Sequence, residues 1–478
     1  MSELKPWQWL ALVVGTGLGL FFIYSHLGYF RDVSFLGAIL LIEVILACLW
    51  KFDQRFFILL MISFVWAGMN LPLQGAFTGG RWAVLAAGAV VGGIVWIKDL
   101  RRPFGTIHLL AVFCVFAAFI SATTSPFVQM ASFKALSLLL LFLYCASGAR
   151  LAVIGREERF FAGLVWGREL TVYVTAACYF GVGISIWGNP NSLGAAMSIG
   201  IFPVLLWGWL TTEAPGARFR RLCALLLCTY LVFFSMARAG IMTISLVTLI
   251  FCFGLHQYKL LVRVVAIAVF MIAFTGMFAP QALDTRVNDF TDAVIYKGHK
   301  TEGVLGSRRS PWDVSVATIK EHPFFGTGYG TSPTGEDPGL GFGQFASSAE
   351  TAREHGSSYM TITEWVGLLG VLPFVALLGL TLGNVLKVCR WMSRTSDPRH
   401  YSIPLAMVVL SGMIHAGFED WLFAVGAYPS VYFWVFAFLL ADFVPSRAAV
   451  PAVIVNRIQQ PFPRDFGVVA SDAFLSKR

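Results

Sequence analysis

The stretch LCALLLCTYLVFFSMARAGIMTISLVTLIFCFGL, Leu222 to Leu255, decides the fold class. Its 34 residues contain a single charge, Arg238. As one helix it would run about 50 Å, well beyond the roughly 30 Å hydrocarbon core of a bilayer. The stretch therefore predicts two spans, 220–235 and 237–255, joined almost without a loop at a turn near Arg238.

The rest of the chain has the same character. Of 478 residues, 57% are hydrophobic and 13% charged. Soluble domains carry about 25% charge, so a soluble enzyme is excluded. Outer-membrane barrels are excluded too, because their segments run about 10 residues and alternate apolar with polar. Further apolar runs occur at 7–25, 34–50, 56–74, 81–97, 104–121, 133–153, 170–187, 192–211, 260–278, 358–386, 401–418 and 424–445. The expectation is an all-α polytopic membrane protein of about 14 transmembrane helices. The run after Lys5 lacks a small-residue cleavage site and is read as a retained first helix.

Net charge is +9. In a membrane protein Lys and Arg gather in cytoplasmic loops. With a cytoplasmic N-terminus, 24 of the 35 Lys and Arg fall on the inside and 11 outside, seven of these in the 279–357 loop. Both termini are thus expected inside and that loop outside. The basic excess is topological, and no nucleic acid is needed to explain it. Three regions follow: N-terminal helices over 1–180, a membrane core over 181–445 that includes the loop, and a cytoplasmic tail over 446–478. The eight cysteines form no CxxC and no Cys/His cluster, so no metal site or cofactor is expected.

Within the loop, residues 308–322 place apolar side chains at helical spacing. Gly326, Gly328 and Gly330 then mark a tight turn that lets backbones pack closely. Arg308 and Arg309 offer guanidinium forks suited to phosphate oxygens, and with Arg238 they would form a cationic pocket on the outer face. Adjacent helical residues point about 100° apart, so one of the pair, Arg308, is favoured. His355 sits where the loop leads into the next helix and is the side chain best suited to take a proton near neutral pH. Glu364, nine residues on inside an apolar run, needs a partner. Glu419 and Asp420 are weaker candidates, and Asn189-Pro190-Asn191 reads most simply as a turn.

In this order the pieces resemble the O-antigen ligase and polymerase superfamily of bacterial polysaccharide assembly. They are Asn189-Pro190-Asn191, Ser235-x-x-Arg238, Arg308/Arg309 with Trp312, His322-Pro323-x-x-Gly326-x-Gly328, His355 with Ser357/Ser358 and Glu364, and Glu419-Asp420. The chain departs from the family pattern at Gly356, where Asn, Ser or Gln is usual, and at Gly367, three residues beyond Glu364 rather than two.

The resemblance implies a metal-independent membrane glycosyltransferase of the GT-C type at the periplasmic face of the bacterial inner membrane. Its donor would be a glycan on undecaprenyl diphosphate, and its acceptor a glycan or lipid A core. Arg238, Arg308 and Arg309 would bind the diphosphate, and His355 would deprotonate the acceptor hydroxyl. Glu364, Glu419 and Asn191 would support them. Other polysaccharide-assembly membrane proteins are expected partners. The span count leans toward a polymerase, with a ligase as the alternative. A transporter or flippase is the rival from another class, but few charges lie mid-span (Glu43 is one) and no halves repeat.

Overall fold

The computed structural model describes residues 54–98, 103–278, 306–331 and 355–445. The expected spans 7–25 and 34–50, Glu43, the tail from 446 and the loop segments 279–305 and 332–354 lie outside the described residues.

Among the described residues the structure is helical with no strand. We label the helices α1 (Gln54–Ala67), α2 (Gln74–Lys98), α3 (Thr106–Thr124), α4 (Val128–Val153), α5 (Glu157–Ala176), α6 (Pro190–Thr211), α7 (Pro215–Phe234) and α8 (Arg238–Gly254). Then come α9 (Tyr258–Phe278), α10 (Gly306–Glu321), α11 (Ser358–Thr395), α12 (Ser402–Ala416) and α13 (Tyr428–Phe443). Every expected span within the described residues overlaps one of them, the run at 170–187 only over 170–176. Five (α2, α3, α4, α6 and α11) are long and apolar enough to cross a membrane. Large apolar side chains also face outward, among them Phe116 and Ile97, 62% and 70% exposed. Exposed apolar surface of this kind marks a membrane or protein interface, and together with the five spans it makes the chain a multi-pass membrane protein.

The helix α13 lies at the centre. Its residues Ser430 to Leu440 are buried on every face, as expected of a helix apolar all round. Its far end is fixed by a bidentate ion pair, in which Arg150 Nε and Nη2 donate to Asp442 at 2.6 and 2.8 Å. The Arg150 guanidinium also lies over the Trp96 ring at 4.2 Å.

Three expectations need correction. The charged segment 157–169 is helical rather than a loop, and α5 begins at Glu157, not near 170. The segment is held by the buried Glu169, which accepts from Arg220 and Arg221 at 2.6 and 3.0 Å, and by Arg168, which donates to Tyr432 at 3.0 Å. The helix α2 begins at Gln74, ahead of the run at 81–97, because Gly79 and Gly80 do not interrupt it. Asn189-Pro190-Asn191 is a helix start. Asn189 Oδ1 accepts from the Ser192 N–H at 2.8 Å, and Pro190 occupies the first turn, where no N–H is needed.

The helix α11 is broken at Gly367, whose φ is +70°. In an unbroken helix the N–H groups of Leu368 and Leu369 would bond the carbonyls of Glu364 and Trp365. Here the 323–328 turn is spliced into those two bonds. Leu368 N–H donates to Pro323 O at 2.7 Å and Leu369 N–H to Phe324 O at 3.3 Å. Thr327 N–H donates to Glu364 O at 3.0 Å and Gly328 N–H to Trp365 O at 3.1 Å. All four freed groups are thereby satisfied, which broken helices at membrane depth require. The approach needs glycine, since a Cβ on Gly367 would fall 2.4 Å from the carbonyl of Phe324.

Candidate functional site

At one end of the bundle the start of α11, the helix α10 and the loop between α12 and α13 meet at His355. The imidazole lies between two carboxylates. Nδ1 is 3.2 Å from Asp420 Oδ2, and Nε2 is 3.3 Å from Glu364 Oε1. Asp420 Oδ2 also accepts from the His355 backbone N–H at 3.1 Å. The loop is anchored to α11 by Ser358, whose N–H and hydroxyl both donate to the Glu419 carbonyl at 3.0 and 2.6 Å.

A neutral imidazole has one N–H and one lone pair, so it can donate to only one of these carboxylates. The protonated ring donates to both. Burial alone would push the His355 pKa down. The hydrogen bonds and charges of Asp420 and Glu364 outweigh burial and hold it above the ordinary value. Burial would likewise raise Asp420, but its bonds to His355 bring it below the usual carboxylate value.

Arg308 is buried beside this group, and Nη2 donates to Glu419 Oε1 at 2.8 Å. Arg309, the next residue, is exposed. One helical turn beyond Arg308, Trp312 shares its face. Both flank Gly356, where an added Cβ would lie 3.3 Å from Arg308 Nη1 and 3.4 Å from Trp312 Nε1. Gly356 has φ +69°, a left-handed conformation that glycine adopts freely and asparagine tolerates. The Trp312 Nε1–H is buried and has no acceptor among the described residues.

Arg238 is the first residue of α8, half-buried, directly after a turn at Met236 with φ +51°. The positive charge of Arg308 acts on it. The turn is packed against α6, since a Cβ on Gly194 would fall 2.5 Å from Ala237 Cβ. Asn191, one turn earlier in α6, is half-buried and makes no side-chain hydrogen bond among the described residues.

The structure thus groups His355, Glu364, Arg308 and Glu419 and brings Arg238 within reach of Arg308's charge, while no side-chain hydrogen bond among the described residues ties Arg309 or Asn191 to them. Asp420, ranked low in the sequence, makes the closest contact to His355. Its signal was adjacency to Glu419: two acids in a row at a loop point to different partners, one to the arginine and one to the histidine. Trp365 gave no signal, yet its ring stands edge-on to the imidazole at 6.0 Å. Among the described residues no three His, Cys, Asp or Glu side chains are grouped to hold a metal ion.

Residues 223–375 match the O-antigen ligase family. That stretch is similar to O-antigen ligases and covers about a third of the chain. The matched region runs from within α7 to the middle of α11 and carries Arg238, Arg308, His355 and Glu364. Glu419 and Asp420 complete the group from beyond its end. No curated protein matches the chain at a significant level.

Proposed function

We propose that the protein transfers a glycan from undecaprenyl diphosphate to a sugar hydroxyl, at the periplasmic face of the inner membrane and without a metal. The observation that carries the reading is the pairing, on either side of Gly356, of a buried arginine with a histidine held between carboxylates. Arg308, Trp312 Nε1–H and Arg238 bind the diphosphate. His355 takes the proton of the acceptor hydroxyl. The hydroxyl oxygen bonds the anomeric carbon as the bond from that carbon to the diphosphate oxygen breaks. The diphosphate leaves with the electron pair, and its charge is met by the arginine forks.

The two carboxylates have different parts in this reading. The Glu364 side chain is fully buried, whereas that of Asp420 is about one-third exposed, 32%. Glu364 therefore orients the ring by accepting from Nε2–H, and the acceptor hydroxyl reaches Nδ1 from the Asp420 side. Glu419 balances Arg308 while no diphosphate is bound. Arg309, exposed on α10, is given no part in this reading.

Polymerase and ligase use the same chemistry. The count of about 14 spans leans toward a polymerase, which joins repeat units lipid to lipid. The family description favours a ligase, which moves finished chains onto lipid A core or another acceptor. Deletion followed by gel analysis of surface and lipid-linked glycans separates them. Single-repeat capping means polymerase, and long chains retained on undecaprenyl mean ligase. An unchanged glycan pattern would refute both.

A further inference from the structure

The splice at Gly367 is also where a helix outside the matched region reaches the site. The Ser121 hydroxyl, buried near the end of α3, donates to the Trp365 carbonyl at 2.5 Å. Four residues on, Ser125 Oγ shares a hydrogen bond with Thr331 Oγ1 at 2.9 Å. Ser125 also backs the turn, since a Cβ on Gly328 would lie 2.2 Å from Ser125 Cβ. Thr331 in turn closes the glycine-rich segment. Its N–H donates to Gly328 O at 3.1 Å, and its carbonyl accepts from Thr327 Oγ1 at 3.0 Å. One end of α3 therefore grips both parts of the splice, the helix through Ser121 and the turn through Ser125.

We infer that Ser121 and Ser125 are positioning residues for the His355–Glu364 pair. Neither touches the imidazole. Ser121 and Gly328 together fix the carbonyl of Trp365, whose ring packs against His355, and Thr327 fixes the carbonyl of Glu364, whose carboxylate faces Nε2. Among the described residues the charged groups around the imidazole are Glu364 and Asp420, with Arg308 and Glu419 across Gly356. Removing the Ser121 hydroxyl leaves Trp365 O with the Gly328 N–H alone and loosens the last turn before the break. The Glu364 carboxylate then supports the protonated ring less well. The base is also less well aimed, and misplacing a catalytic group lowers rate without touching distant binding contacts. The assignment of His355 as the base rests on the proposed function; the positioning itself does not.

The test uses the full chain in lipid nanodiscs with 15N-labelled histidine, the His355 signals being assigned by their loss in His355→Gln. The His355 titration midpoint is compared among the wild type, Ser121→Ala and Thr171→Ala. The last removes a hydroxyl bonded only within its own helix, to Gly167 O at 2.8 Å. We expect the midpoint to fall by about half a pH unit in Ser121→Ala, as weakened carboxylate support dictates, and to stay in place in Thr171→Ala. Ser121→Thr, which keeps the hydroxyl, should restore it. The glycan-transfer rate of Ser121→Ala should drop about tenfold with donor affinity unchanged. If Ser121→Ala does not fold, Ser125→Ala carries the same expectation. A wild-type midpoint in the folded serine variants overturns the inference. A shifted midpoint in a protein that transfers no glycan leaves the positioning standing and removes the proposed function.

Discussion

At the scale of single residues, the most informative feature is a histidine whose two ring nitrogens both face carboxylates. The anions raise its pKa, and a base acts only once it has lost its proton. Activity should therefore rise with pH along a limb lying above the ordinary histidine value of about 6.5. Asp420→Asn removes one anion and leaves the burial that opposes charge, so the limb should move to lower pH. A pH–rate profile of the purified variant checks this, and a limb that stays put or moves upward would remove Asp420 from the account. The arginine pair gives a second residue-scale prediction. Arg308→Ala should weaken binding of a polyprenyl diphosphate about 10- to 100-fold, the range for a hydrogen bond to a charged group. Arg309→Ala should stay within about twofold, since its exposed side chain makes only screened contacts. Arg308→Lys should recover part of the affinity, because ammonium lacks the bidentate fork. Equal losses in the two alanine variants would contradict the placement.

At the scale of elements, the splice of the 323–328 turn into α11 organises the site. Gly367→Ala forces a Cβ to 2.4 Å from the Phe324 carbonyl at a positive φ. This positive-φ extended backbone alone costs about 1–3 kcal/mol for a residue with a Cβ, so the thermal midpoint should fall. Gly379→Ala in the same helix meets nothing within 4 Å and should leave the midpoint unchanged or raise it slightly, given alanine's better helix propensity. Matching melts for the two would mean that the break is not needed. The sequence made the helices legible because lipid demands long apolar runs, and each described run overlaps a helix, though α5 is displaced toward its charged start. It also made legible that Gly326 and Gly328 permit close backbone approach, and that Arg308 and Arg309 diverge. The partner of that turn was not legible, because its hydrogen bonds reach a helix some 40 residues away with no side-chain pattern to announce them. The helix at 157–169 was missed because its charges are neutralised by tertiary pairing, in Glu169 with Arg220 and Arg221, which a count of charges along the chain cannot see.

At the scale of the whole molecule, the proposed function requires the His355 end of the bundle outside the cytoplasm, the side expected from the bias of 24 inside Lys and Arg against 11 outside. Lys320 and Ser393 are both exposed, the first in α10 near the site and the second near the opposite end of α11. A membrane-impermeant thiol reagent applied to cells with a permeabilised outer membrane should label Lys320→Cys and spare Ser393→Cys. The reverse pattern would invert the topology. The central claim, glycan transfer from a lipid diphosphate at His355, is tested most directly in liposomes containing the purified protein and a polyprenyl-diphosphate-linked oligosaccharide. Glycan transfer and donor affinity are measured together for the wild type and His355→Ala. The account predicts transfer by the wild type, a loss of about 10²–10⁴-fold in the variant, the usual share of one general base, and an unchanged donor affinity. Full transfer in His355→Ala, or loss of donor binding along with transfer, would contradict it.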